Sequence, residues 1–183
     1  KYGLKIIEDS ADTLGASING LPSGHYSDMS ITSFYGSHII NCAGNGGALC
    51  LNDKNVFSQA KLLRSWGRSS SLFDERSEDI KNRFNINLDG IDYDAKFVFE
   101  TIGYNLEGSE IGASFGLAQL DKLNDNILIR QKNFKRQYDF FEKHKEFFIN
   151  PKQTSNSYTA WLAYPILLKD NIPFTRKQFQ IYL

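Results

Sequence analysis

The chain has 183 residues, with 21 Lys+Arg against 21 Asp+Glu, 41% hydrophobic and 14% aromatic residues, and 4 Pro. Those proportions suit a folded domain with enough apolar mass for a core, and they exclude a disordered or fibrous chain. A formal net charge of +0, with both signs mixed along the chain, provides no broad field for a polyanion, so no nucleic-acid partner is expected. No apolar run approaches the roughly 20 residues that span a bilayer, and no membrane partner is expected either.

Residues 4–8 form an apolar run that reads as a buried strand ending in the acidic pair Glu8-Asp9. Residues 31–35 are expected as a second strand and residues 48–51 as a third. Asp53 then stands where it can cap a helix that carries Val56, Phe57, Ala60, Leu62 and Leu63. Strands alternating with helices predict an α/β fold, in which ligands gather outside the carboxyl ends of the strands.

Residues 67–100 are a polar stretch with Ser69, Ser70 and Ser71, expected to be a long loop. Ser109 and Glu110 open an apolar-periodic helix through Ile111, Phe115, Leu117, Ala118, Leu120 and Leu123, and a second helix is expected from about 126 to 145. Residues 158–168 are strand-like, and a last helix begins after Pro173. Residue 1 is not Met, and the final helical pattern is still running at Leu183, so the chain is expected to be an internal segment of a longer protein. Residues 1–125 are expected to be part of a large domain whose N-terminal part is missing. Residues 126–183 are expected to be a linking helix and the truncated start of a small α+β domain.

Cys42 and Cys50 flank a glycine-rich stretch without a CxxC or Cys/His partner, so no metal or iron–sulfur centre is expected. A reduced, cytoplasmic chain is the default, and nothing at the N-terminus resembles a signal peptide. Asp9 ends the first strand, where a carboxylate can be desolvated enough to seek a cation such as a protonated pyridine nitrogen, although an acidic turn has the same composition. His38 lies in a loop after the second strand, where an imidazole can exchange protons near neutral pH or simply be a satisfied structural residue. Gly44-Asn45-Gly46-Gly47 lacks the spacing of a nucleotide fingerprint and reads as a tight turn with positive φ.

Taken in order, Ile6-Ile7-Glu8-Asp9-Ser10-Ala11-Asp12, Ser33-Phe34-Tyr35 with His38, Gly44-Asn45-Gly46-Gly47-Ala48, Gly103-Tyr104-Asn105-Leu106 and Gly116-Leu117-Ala118-Gln119-Leu120 form a series of blocks. The series resembles the DegT/DnrJ/EryC1/StrS family of vitamin-B6-dependent enzymes of nucleotide-sugar metabolism. The resemblance implies an aspartate-aminotransferase-like fold (fold type I) and pyridoxal 5'-phosphate or pyridoxamine 5'-phosphate as cofactor. It implies Asp9 at the pyridinium nitrogen, Ser33 at the cofactor phosphate, Asp12 near the ring hydroxyl, and Asn105 reaching the phosphate of a neighbouring subunit in a homodimer. At Asp12 the family's aminotransferases usually carry glutamine, whereas its dehydratases tend to carry an acid.

In the sugar aminotransferases of that family the sixth residue of the Ser-Phe block is the lysine that holds the cofactor covalently. Here it is His38, and imidazole cannot form a Schiff base. The same exchange marks the family's 3-dehydratases, so the resemblance implies loss of the C3 hydroxyl from a nucleotide-linked 4-keto-6-deoxyhexose in deoxysugar biosynthesis for O-antigen or other polysaccharide. His38 would be the acid/base and glutamate the amino donor. The branch that carries an iron–sulfur cluster has cysteines just after a Trp-Gly-Arg block, whereas Trp66-Gly67-Arg68 is followed here by serines. Arg68 and the loop after it are placed either to meet the nucleotide diphosphate or to be solvated. A nucleotide-sugar aminotransferase and a non-catalytic module on the same fold are the alternatives.

Overall fold

The computed structural model describes residues 2–73 and 83–183. In chain order they form β1 (Ile7–Asp9), β2 (Ser17–Ile18), β3 (Leu21–Pro22), β4 (Met29–Ser33), β5 (Gly47–Leu51), α1 (Lys54–Arg64), β6 (Ile86–Leu88), β7 (Ile91–Tyr93), α2 (Glu110–Leu120), α3 (Leu123–Glu142), β8 (Phe148–Ile149), β9 (Ser157–Tyr158), β10 (Leu167–Leu168) and α4 (Arg176–Tyr182). They pack as two units, one of Ile7–Leu49 with Ile111–Leu183, the other of residues up to Ile6 with Cys50–Glu110. These units interleave in sequence.

In the first unit β1 and β4 run parallel, with Ile7 opposite Met29 and Asp9 opposite Ile31, and β5 lies on the other side of β4. The first strand is shorter than expected because only residues 7–9 have a ladder partner, and Leu4 and Ile6 stay exposed. The second strand sits two residues earlier than expected. It ends at Ser33, whose Oγ accepts the Tyr35 amide at 3.2 Å and turns the chain out of the sheet. A hairpin absent from the sequence reading joins β2 to β3 across Asn19 (φ 53) and Gly20 (φ 78), and β2 also pairs with β9. Asn-Gly is the residue pair such a two-residue turn requires, because both positions need positive φ.

The core of this unit is Ile39, Ile127 and Ala160, with Leu14, Leu123 and Leu162 packed around them. Ile127 comes close because Gly15 has no side chain: a Cβ there would sit 2.4 Å from Ile127 Cδ1. Along α3, Phe134 stacks on Trp161 at 3.8 Å, and Phe141 meets both Phe148 and Tyr164. Tyr164 is partly buried, and that loss of hydration pushes its hydroxyl above the usual tyrosine value; the hydroxyl donates to Asn150 Oδ1 at 2.6 Å.

Leu123 opens α3 instead of ending α2, and α3 stops at Glu142. Of residues 158–168 only the two ends join strands, Tyr158 in β9 and Leu167–Leu168 in β10. The expected apolar face of α2 is not what the unit covers. Gly112 and Gly116 are buried, while Ile111 is 82% and Leu117 65% exposed.

In the second unit Asp53 caps α1 as expected, its Oδ1 accepting from the amides of Asn55 (2.8 Å) and Val56 (3.2 Å). The expected loop of residues 67–100 contains structure instead. β6 and β7 form a hairpin over Asp89 and Gly90, and its base is closed by the ion pair of Arg83 with Asp94. The bond from Arg83 holds the Asp94 carboxyl below the ordinary aspartate value. Residues 74–82 of that loop lie outside the described residues. Among the described residues no helix is long and apolar enough to cross a membrane.

Candidate active site

The parallel pairing of β1 with β4 sets Asp9 and Ser33 at carboxyl strand ends, where this class of sheet places its ligands. The Ser10 amide extends the ladder by one bond to Ile31 O at 2.9 Å, after which the chain turns through Thr13 N to Ser10 O and Ala16 N to Thr13 O. The two members of the acidic pair have different work. Glu8 Oε1 accepts from the Gly24 amide (2.8 Å) and from Ser10 Oγ (2.5 Å), so it ties the turn together. Asp9 Oδ1 accepts only the amide of Ala11 at 3.1 Å, and its second oxygen has no partner among the described residues. Asp9 is exposed and not desolvated, because none of the described residues covers that face of the strand end.

The loop after β4 is closed on itself by backbone bonds. Phe34 N donates to Gly46 O at 2.9 Å, Cys42 N to Phe34 O at 3.0 Å, and His38 N to Tyr35 O at 3.0 Å. The Gly44-Asn45-Gly46-Gly47 turn supplies the positive φ this closure needs, 98° at Gly44 and 128° at Gly46. Gly47 admits no side chain, since a Cβ would meet Thr32 O at 2.9 Å. Ile39 and Ile40, each 4% exposed, anchor the loop in the apolar interior and so fix the backbone next to His38.

The His38 ring is half-buried, and its Nδ1 lies 2.7 Å from Oδ1 of the exposed Asp12. The approach is off the hydrogen-bonding direction, so the contact is not a well-aligned hydrogen bond, and it becomes a charge pair only when the imidazole carries a proton on both nitrogens. Tyr35 meets the same ring edge-on, with centroids 6.3 Å apart. Among the described residues the contact of Asp12 is His38. Spacing alone does not show this pairing, because the turn between residues 9 and 16 decides where Asp12 faces.

The structure therefore gathers Asp9, Asp12, Ser33 and His38 at one end of one unit. Asn105 belongs to the other unit, in a ribbon where it bridges to Ser65, Tyr104 N donates to Leu63 O (2.7 Å) and Leu106 N to Arg64 O (2.9 Å). Glu107 beside it is taken by Ser65 Oγ and by Arg64 Nε.

The donor set fits a pyridoxal- or pyridoxamine-phosphate group. It offers a carboxylate with a free oxygen for a protonated ring nitrogen, a strand-end hydroxyl for a phosphate, and an imidazole for proton transfer. No lysine or arginine occurs between Lys5 and Lys54, so the segment carrying these residues holds no amine.

The profile described as the DegT/DnrJ/EryC1/StrS aminotransferase family matches residues 1–183. The lipopolysaccharide biosynthesis protein RfbH of Salmonella typhimurium is 30% identical over 185 residues, covering 100% of this chain and 42% of that protein. GDP-4-keto-6-deoxy-D-mannose 3-dehydratase of Yersinia pseudotuberculosis is 27% identical over 174 residues, covering 94% of this chain and 42% of the relative. Among solved structures, the E. coli GDP-4-keto-6-deoxy-D-mannose-3-dehydratase with bound hydrated PLP superposes with a TM-score of 0.79 at 23% identity, over 97% of this chain and 43% of that one. The chain spans about two fifths of the length of the relatives it matches. It belongs to the DegT/DnrJ/EryC1/StrS family, on the fold of the pyridoxal-phosphate enzymes of that family.

Proposed function

We propose that this chain is part of a 3-dehydratase that removes the C3 hydroxyl of a nucleotide-linked 4-keto-6-deoxyhexose, for a deoxysugar of lipopolysaccharide or a related polysaccharide. One observation carries the reading: the position expected to hold an amine holds His38, paired with Asp12 at 2.7 Å, in a segment without lysine. The kinship with proteins named as 3-dehydratases supports it, and the aminotransferase alternative lacks its amine.

In this reading Asp9 faces the ring nitrogen of the cofactor, Ser33 its phosphate, and Asn105 the phosphate of a neighbouring subunit. When bound, the cofactor supplies an amine to engage the C4 ketone and a protonated ring that accepts electrons. The work of this chain is to move the proton. With Nδ1 turned to Asp12, His38 keeps Nε2 free to take a proton and to return it to the departing hydroxyl. The Asp12 carboxylate offsets the positive charge that forms on the ring while the proton is held. Glutamate is the amino donor that renews the cofactor.

A homodimer is part of the same proposal. The α2 helix leaves Ile111, Phe115, Leu117 and Leu120 exposed among the described residues, and Ile102 is 91% exposed three residues before Asn105. Apolar surface of this kind is normally covered by further protein.

The test is made on full-length protein with pyridoxal phosphate, glutamate and nucleotide-linked 4-keto-6-deoxyhexoses, following loss of one water by mass spectrometry. His38→Asn is expected to keep cofactor absorbance and to lower turnover by about 10²-fold or more, as removal of a general acid/base does. Unchanged turnover in that variant overturns the role of His38, and a borohydride-stable cofactor–lysine adduct in the wild type overturns the dehydratase reading.

A further inference from the structure

Glu8 and Asp9 are consecutive in β1, so they leave the strand on opposite faces. Asp9 stands with the other candidate site residues, whereas Glu8 is turned toward a cavity of about 220 Å³ that Thr13, Ser17, Tyr26 and Tyr158 help to line. Glu8 therefore cannot touch a group bound at Asp9. It reaches that end of the strand through the backbone.

One oxygen of Glu8 makes both of its bonds, to Ser10 Oγ at 2.5 Å and to the Gly24 amide at 2.8 Å. Gly24 is a fixed point. It holds φ 85, a Cβ there would lie 2.5 Å from Ser30 Oγ of β4, and its carbonyl accepts from Ser27 Oγ at 3.0 Å. Ser10, 5% exposed, is the pivot of the turn that follows, because its carbonyl accepts from Thr13 N at 3.2 Å and from Thr13 Oγ1 at 3.3 Å. Asp12 lies inside that turn. Its side chain is 58% exposed and meets only His38 among the described residues, so the backbone of the turn, and not packing, decides where its carboxylate stands. Glu8 makes no ion pair among the described residues, and its charge falls on these two donors, where bonds to a carboxylate are about twice as strong as neutral ones.

We infer that Glu8 is a positioning residue for the candidate active site: from the far face of β1 it clamps the turn of residues 10–13 to Gly24 and so sets the approach of Asp12 to His38. The consequence for turnover rests on the dehydratase reading above; the positioning itself does not. Asp9 depends on the clamp less, since it is also paired with Ile31 of β4. Because Glu8 borders a cavity, shortening it enlarges existing space and leaves the core of Ile39, Ile127 and Ala160 intact.

Full-length wild type, Glu8→Ala, Glu8→Gln, Ser10→Ala and Asp12→Ala, each with isotope-labelled histidine and without cofactor, are compared by ring-nitrogen NMR at one fixed pH. The His38 signal is assigned by its loss in His38→Asn, and thermal melting checks the fold. Glu8→Ala is expected to move the His38 signal toward its position in Asp12→Ala while that of His144 stays in place. Glu8→Gln, whose amide oxygen still accepts from both donors, is expected to move it less. With Asp12 already replaced by alanine, Glu8→Ala is expected to add no further shift. In turnover, Glu8→Ala is expected to lower kcat by about tenfold to a hundredfold with a smaller change in KM, the scale of a misplacement of about 1 Å. Pyridoxal phosphate binding, followed by absorbance, is expected to be retained.

An unmoved His38 signal in folded Glu8→Ala overturns the positioning role. A shift that persists undiminished when Asp12 is alanine overturns the route through Asp12, as does loss of pyridoxal phosphate binding with His38 unmoved. If Glu8→Ala does not fold, Glu8→Gln and Ser10→Ala decide by the same two outcomes. If His38 moves as expected but wild type removes no water from any nucleotide-linked 4-keto-6-deoxyhexose, the positioning stands and the dehydratase reading fails. If wild type dehydrates and the displaced His38 leaves kcat unchanged, the consequence for turnover is overturned.

Discussion

Gly116 is where the packing of α2 against the candidate active-site loop can be measured. An alanine Cβ at this position would lie 2.5 Å from Cys42 Sγ, 3.8 Å from Cys42 Cβ and 3.9 Å from Asn41 O, so Sγ alone is in conflict. Carbon and its neighbours prefer separations of about 3.5–4.0 Å, so relief needs a shift of about 1 Å or more. Alanine in place of glycine gains about 1 kcal/mol of helix propensity, and overpacking costs about 1–3 kcal/mol. Gly116→Ala should therefore lose up to about 2 kcal/mol net. Removing Sγ as well, in Cys42→Ala with Gly116→Ala, should restore the propensity gain, which makes the coupling between the two substitutions about 1–3 kcal/mol. The assay is urea unfolding of full-length wild type, both single variants and the double variant, at constant m. Because the Cys42 amide closes the loop onto Phe34, the single variant should also slow turnover through displacement of His38. Strict additivity of the two substitutions would refute the reasoning, since it would mean that Sγ and the helix do not meet.

Asp53→Ala removes the acceptor for the amides of Asn55 and Val56 and should cost about 1 kcal/mol, read as a lowered urea midpoint, whereas Asp53→Ser should recover most of it. The Arg83–Asp94 pair makes the β6–β7 hairpin sensitive to acid. Asp94 titrates below 3.8 when folded, so its contribution is complete above that value and is lost as pH falls through the lower folded value. Protection factors of the hairpin amides, corrected for intrinsic exchange, should drop across that window in wild type and show no such step in Asp94→Asn.

Legibility in the sequence followed the range of the interaction. The Asp53 cap, the α1 helix and the Gly44–Gly47 turn were readable because each is decided within a few residues. The β2–β3 hairpin had its signal in Asn19-Gly20, yet its strands are two residues each and show no alternation to catch. The extent of β1 was not readable, because where a strand stops depends on whether a neighbour offers a ladder, and β4 offers one only from Met29. The buried side of α2 was misread for a related reason. Periodicity marks where the apolar residues lie, whereas the unit closes on Gly112 and Gly116, whose missing side chains let the chain approach.

The contact of Asp12 with His38 joins two departures from the family pattern that appear separate along the sequence. A lysine at position 38 that faced this carboxylate would be held as an ammonium ion, and an ammonium is not a nucleophile. The resemblance to aminotransferases pairs that lysine with a neutral glutamine at position 12, which leaves the amine free to react. Under the proposed function a histidine gains from the opposite arrangement, since it would hold a proton for part of the cycle and a carboxylate 2.7 Å away would stabilise the charged ring. In the proposed dehydratase the acid at position 12 and the imidazole at position 38 therefore belong to one chemical choice, proton transfer over covalent capture.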